Sequence, residues 1–158
     1  MKRNILLCLL SVALLSAGWL GITGLTLLVA LVPLLIISEN LSDSRRDWWR
    51  MCGYAAATFL VWNALTIWWV WIAAPIGPIT AGIVGTFYNL VAFMTYHYTA
   101  KRAHRALAYT LLVTLWIATE WAYNSADVMT FPWLLLGHGL SGDIWAAQWY
   151  ESTGISGG

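Results

Sequence analysis

The sequence predicts an all-α membrane protein: a polytopic bundle of about five transmembrane helices, amino terminus cytoplasmic, with an irregular outer tail. Three observations predict it. Hydrophobic residues make up 60% of the 158 and charged residues only 9%, where a soluble domain carries roughly 25% charged residues. That deficit cannot hide in a core, because small domains have more surface per residue. Five apolar stretches approach the ~20 residues that a bilayer-spanning helix needs. Finally, the eight Lys and Arg fall in three places only, and a five-span path brings all three to one face.

The helices are expected near 4–20, 24–38, 51–72, 79–98 and 106–123, followed by a tail over 124–158, the whole of 1–158 forming one domain. Gly18, Gly21 and Gly24 suit a tight reversal between the first two helices. The second is short and contains Pro33, which predicts a tilt or kink. Pro75-Ile76-Gly77-Pro78 marks the turn before the fourth helix.

The cation clusters are Lys2 and Arg3, then Arg45, Arg46 and Arg50, then Lys101, Arg102 and Arg105. If 4–38 were one span, the first pair would face away from the other six. A hairpin puts all eight on the cytoplasmic side, as the positive-inside rule demands. Lys2-Arg3 followed by an apolar run ending Leu15-Ser16-Ala17-Gly18 also has the layout of a signal peptide. Charge alone does not choose between its retention and its cleavage, since the later topology holds either way. Twelve Trp and seven Tyr suit aromatic belts at the two interfaces.

The tail has no apolar run long enough to span. It is rich in Gly and Trp and holds Asp127, Asp143 and Glu151. Phe131-Pro132-Trp133, followed by three leucines, is expected to lie at the outer interface as a re-entrant or surface segment. Non-helical stretches of this kind usually carry function.

Several classes of chemistry find no support. A net charge of +1 offers no field for nucleic acid. Cys8 and Cys52 lie far apart without metal-type spacing. His97 and His104 fall at the inner side and His138 at the outer, so no metal or haem site is expected, and no cofactor. No phosphate-cradling loop, H-E-x-x-H or G-x-S-x-G occurs. Neither cysteine can meet an acid and a lysine across a hydrocarbon core about 30 Å thick, and catalytic partners must lie within hydrogen-bond reach. No catalytic residue is assigned. The candidate lipid, substrate or interhelical contacts are Asn63, Asn89, Glu120, Phe131 and Trp133. Asn63 and Asn89 fall at one depth in the third and fourth helices, which predicts a hydrogen bond between them. Glu120 closes the fifth helix near the outer face, and an intramembrane carboxylate is a functional candidate by default.

Four motifs take the argument to a family. Trp62-Asn63-Ala64-Leu65-Thr66-Ile67-Trp68-Trp69 precedes the Pro/Gly turn, and Trp116-Ile117-Ala118-Thr119-Glu120-Trp121 closes the fifth helix. Phe131-Pro132-Trp133-Leu134-Leu135-Leu136-Gly137-His138-Gly139 and Gln148-Trp149-Tyr150-Glu151-Ser152-Thr153-Gly154 follow. In this order they resemble the amino-terminal membrane part of apolipoprotein N-acyltransferase, over essentially the whole chain. The resemblance implies a multi-pass protein of the bacterial inner membrane. It implies transfer of an acyl chain from a phospholipid to the amino-terminal diacylglyceryl-cysteine of a lipoprotein, through a Cys thioester. The Cys, Glu and Lys of that chemistry belong to a nitrilase-like domain that this chain lacks, so none of them maps onto it. Gly154-Ile155-Ser156-Gly157-Gly158 resembles the approach to a further transmembrane helix. The chain is therefore expected to be an inert membrane anchor and scaffold, with the nitrilase-like domain supplied in cis or in trans. Its partners, through the complete enzyme, are the acyl-donor phospholipid and the lipoprotein amino terminus. The alternative is a non-enzymatic small membrane protein, a transporter subunit or assembly scaffold, sharing the same helical layout.

Overall fold

The structure, a computed structural model, describes residues 2–125 and 131–155. Asp127 and the terminal Ser156-Gly157-Gly158 lie outside the described residues. What is described is helical throughout: α1 (Lys2–Ser16), a 3-10 helix over Gly24–Val29, α2 (Val32–Asn40), α3 (Arg45–Ile67), α4 (Val70–Ala73), α5 (Gly77–Arg102) and α6 (Arg105–Asn124). The tail holds 3-10 turns at Pro132–Leu134, Leu136–Leu140 and Ile144–Ala146, then α7 (Tyr150–Thr153). Among the described residues no strand occurs.

Local chemistry accounts for the boundaries. The segment expected as one helix over 24–38 is two pieces, because Pro33 sits in the first turn of α2. There its missing N–H has no partner to lose and its fixed φ starts a helix instead of kinking one. Ser44 starts α3 six residues before the apolar run, its hydroxyl accepting from the Asp47 N–H at 3.2 Å. Asp47 in turn accepts from the Ser42 hydroxyl at 2.6 Å and from Arg50 at 3.0 Å. These bonds, Ser42 first, hold its carboxyl down at about 2. Pro78 opens α5 in the same manner as Pro33 opens α2, and His104 Nδ1 caps α6 by accepting from the Ala106 N–H at 3.2 Å.

The core runs between α1, α2, α3, α5 and α6, where Leu15, Leu34, Ile37, Met51, Phe59 and Phe93 are fully buried. Phe59 meets Phe93 and Trp116 edge to face, at centroid distances of 6.1 and 5.7 Å, the arrangement that aromatic quadrupoles prefer. The opposite faces remain apolar. Ile79, Ile83, Phe87 and Val91 form an exposed stripe at four-residue spacing along α5, and Leu6, Leu9, Leu10, Val113 and Ile117 are exposed on α1 and α6. Among the described residues α5 is the one helix long and apolar enough to cross a membrane by its own length and composition. The 3-10 and α2 stretch, Gly24–Asn40, is apolar but shorter. α3 spends its first turns on Arg45, Arg46, Asp47 and Arg50, and α6 is diluted by Thr, Tyr and Trp.

Candidate functional site

The tail folds back across one end of the bundle, and backbone contact fixes it there. The loop after α1 turns through Gly21, whose φ of 73° is open to glycine at no steric cost. This brings Gly18 and Gly24 against Gly139. A Cβ on either Gly18 or Gly24 would overlap the Gly139 carbonyl oxygen. A Cβ on Gly139 would lie 2.7 Å from Leu27 and 2.8 Å from Trp19.

Polar groups close the same contact. Thr23 caps the 3-10 helix, its Oγ1 accepting from the Leu25 N–H at 3.2 Å. Its hydroxyl then donates to Asp143 Oδ2 at 3.0 Å, and the Gly24 N–H donates to that same oxygen at 2.6 Å. A carboxylate from the tail thus serves donors that a helix start leaves open. Trp19 Nε1 donates to the Trp133 carbonyl at 3.1 Å.

A second carboxylate ties the tail to α6. Glu120 Oε1 accepts from Trp116 Nε1 at 3.0 Å and from the Leu136 N–H at 2.9 Å. Leu136 begins the Leu136–Leu140 turn, so its N–H also needs an outside partner. The Tyr150 hydroxyl donates to the Gly137 carbonyl at 3.0 Å.

Between the tail, the end of α3 and the loop after α1 lies a cavity of about 500 Å³. Trp19, Ile67, Trp69, Trp133, Leu140 and Ile144 supply apolar walls, with His138, Gln148 and Tyr150 as polar points. Trp133 stands edge-on to both Trp69 and His138, at 6.1 Å each. Among the described residues His138 Nδ1 is buried without a partner, and burial lowers the ring's pKa. Burial thus favours the neutral imidazole. Burial, and then the Glu120 charge, push the Tyr150 phenol upward. Mostly apolar walls with a few convergent polar groups are the general make-up of small-molecule pockets. Among the described residues no three His, Cys, Asp or Glu gather as a metal site, and neither cysteine lines the cavity.

The five candidate residues divide. Trp133 walls the cavity. Phe131 packs instead on the cluster of Ile67, Val70, Ala81 and Leu134. Asn63 is fully buried and donates to the Gly82 carbonyl at 3.2 Å and to Thr86 Oγ1 at 3.0 Å. Its partners are thus on α5, but one and two turns short of Asn89. Asn89 borders a separate recess with Glu120, Gly85 and Tyr123, of about 10 Å³, room for no more than one water. Asp143, Trp19 and the three touching glycines were not among the candidates. The glycines were visible as turn formers, but a single chain gives no sign of which distant residues meet.

Comparison with known proteins fits this arrangement. The family described as "Apolipoprotein N-acyltransferase N-terminal domain" matches residues 6–158. The chain is also similar to an apolipoprotein N-acyltransferase from Chlorobaculum tepidum, 29% identical over 133 residues. That match covers 82% of this chain and 23% of the relative, so the chain spans about a quarter of the relative's length. No solved structure matches. With a family match that runs from Leu6 to the last residue, this chain belongs to the apolipoprotein N-acyltransferase N-terminal domain family.

Proposed function

We propose that these residues are the membrane-inserted, substrate-holding part of an apolipoprotein N-acyltransferase. In that reading the complete enzyme moves an acyl chain from a phospholipid to the amino-terminal diacylglyceryl-cysteine of a lipoprotein, in the bacterial inner membrane. The chemistry, a Cys thioester with Glu and Lys assistance, is supplied from outside these residues. The observation that carries the reading is the apolar cavity of about 500 Å³ roofed by the tail. It is shaped for alkyl chains, and no cysteine lines it.

Membrane insertion is part of the proposal. The chain crosses about five times, amino terminus inside and tail outside. The exposed stripes on α1, α5 and α6 suit lipid as solvent. At 1.5 Å per residue the 20 residues of α6 measure about 30 Å, enough for the ~30 Å hydrocarbon core, while the part of α3 past Arg50 gives about 26 Å and α4 continues it. The 15 residues of α1 give about 22 Å, so its following turn completes that crossing. All eight cations lie at the end away from the tail.

Two measurements test it. Purified alone and given phospholipid with a diacylated lipopeptide, the 158 residues should form no triacylated product. Turnover above blank would place the chemistry within this chain and remove the scaffold assignment. Ser141→Cys should react with an impermeant thiol reagent added to intact spheroplasts, whereas labelling only after lysis would invert the topology.

A further inference from the structure

At the end of the bundle away from the tail, a second and quite different recess opens between the last turn of α2, the last turns of α5 and the start of α6. Its volume is about 70 Å³, and Ser38, Glu39, Tyr96, Lys101, Arg105 and Tyr109 line it. This is room for a group of a few heavy atoms, not for an alkyl chain. Its back wall is fixed by the buried 2.7 Å hydrogen bond between Ser38 Oγ and His97 Nδ1.

The charges in the recess do not cancel. Glu39 is the one carboxylate among the lining residues and faces two cations. Arg105 reaches it only at 3.6 Å and keeps its side chain 76% exposed. Lys101 spends one proton on the Glu39 backbone carbonyl, at 3.3 Å, leaving two of its three donors. Arg102 is occupied elsewhere, by Asp43 at 2.7 Å and by the Tyr98 ring at 4.0 Å. The surplus is therefore positive, with two phenol hydroxyls beside it. A guanidinium fork next to an ammonium and hydroxyl donors is a set suited to phosphate oxygens.

The position identifies the source of the phosphate. Tyr109, exposed at the recess, and Tyr98, exposed one turn before Lys101 on α5, suit interfacial aromatics at headgroup depth. The surrounding end of the bundle carries Lys2, Arg3, Arg45 and Arg46, for which no carboxylate partner occurs among the described residues. That field draws anionic lipid. We propose that this recess binds the headgroup phosphate of an anionic phospholipid from the cytoplasmic leaflet, with Lys101 and Arg105 holding its charge. The bound lipid is structural and lies across the bundle from the acyl cavity. The inference rests on the membrane insertion and orientation proposed above, but not on the acyl transfer.

The test uses the intact protein in nanodiscs, after carbonate extraction has established that it is an integral membrane protein. Failure of that first step would sink the insertion reading and is distinct from failure of the lipid site. Native mass spectrometry should show phosphatidylglycerol retained about tenfold over phosphatidylcholine, with a higher Tm in phosphatidylglycerol discs. Lys101→Gln with Arg105→Gln should abolish that preference, read as a difference between the two lipids so that a general loss of stability cancels. Glu39→Gln should strengthen it, because the competing carboxylate is gone. If Glu39→Gln lowers Tm equally in both lipids and leaves the preference untouched, these residues are only an ion-pair clasp and the proposal fails. It also fails if the wild type shows no preference, or if inorganic phosphate added to phosphatidylcholine discs reproduces the whole stabilisation.

Discussion

Replacing Gly18 with alanine is expected to lift the tail off the bundle. The new Cβ would overlap the Gly139 carbonyl oxygen, which is backbone. No rotamer change relieves that clash, so one chain segment must move. Overpacking a fixed site costs about 1–3 kcal/mol, and the displacement also strains the bonds from Trp19 to the Trp133 carbonyl and from Thr23 and Gly24 to Asp143. Each contributes about 1 kcal/mol, more where the acceptor is charged. The combined loss is about 3 kcal/mol or more. Gly24→Ala should match it, meeting the same oxygen. Gly53→Ala is the control: nothing lies within 4 Å of its Cβ, and alanine inside α3 should gain about 0.5–1 kcal/mol. Hydrogen–deuterium exchange over 131–155 reads the result. Wild-type protection in Gly18→Ala would show that the tail does not depend on this contact.

The second large effect is expected at Glu120. Glu120→Leu removes the acceptor shared by Trp116 Nε1 and the Leu136 N–H. Two donors in a poorly solvated place then go unpaired, at about 1–3 kcal/mol each. Glu120→Gln keeps a carbonyl oxygen at the same position and gives up only the charge, a loss of about 1 kcal/mol. Unfolding of the three proteins side by side, with exchange at the Leu136 amide as the local probe, measures the difference. If Gln is as damaging as Leu, the negative charge itself is in use, and Glu120 then acts on something other than the tail.

These two sites show what a sequence yields and where it stops. Helical class and the family were legible, because composition and ordered motifs are local properties. Pro33 was read as a kink and proved to be a helix start: a proline's effect depends on where the helix begins, and the 3-10 segment before it has no distinctive pattern. Asn63 was matched to Asn89 by depth. Depth fixes height along a helix but not rotation about it, and rotation aims Asn63 at Gly82 and Thr86. Glu120 stood out as a carboxylate beside an apolar run, yet its distant partner, the Leu136 N–H, lies in a tail without periodicity. Asp143 left no local trace, since its partners are 119 and 120 residues away.

That separation also sets an order of assembly. A ribosome working at 5–20 residues per second needs roughly 6–24 s to go from Gly24 to Asp143. For that interval the Gly24 N–H lacks its Asp143 partner and the glycine notch stays empty. Only when the tail has been made does the seam close, and loop-closure entropy for so long a span adds little to the waiting cost, growing only with the logarithm of length. A chain interrupted between Asn124 and Asp143 would therefore keep its long helices and lose its latch.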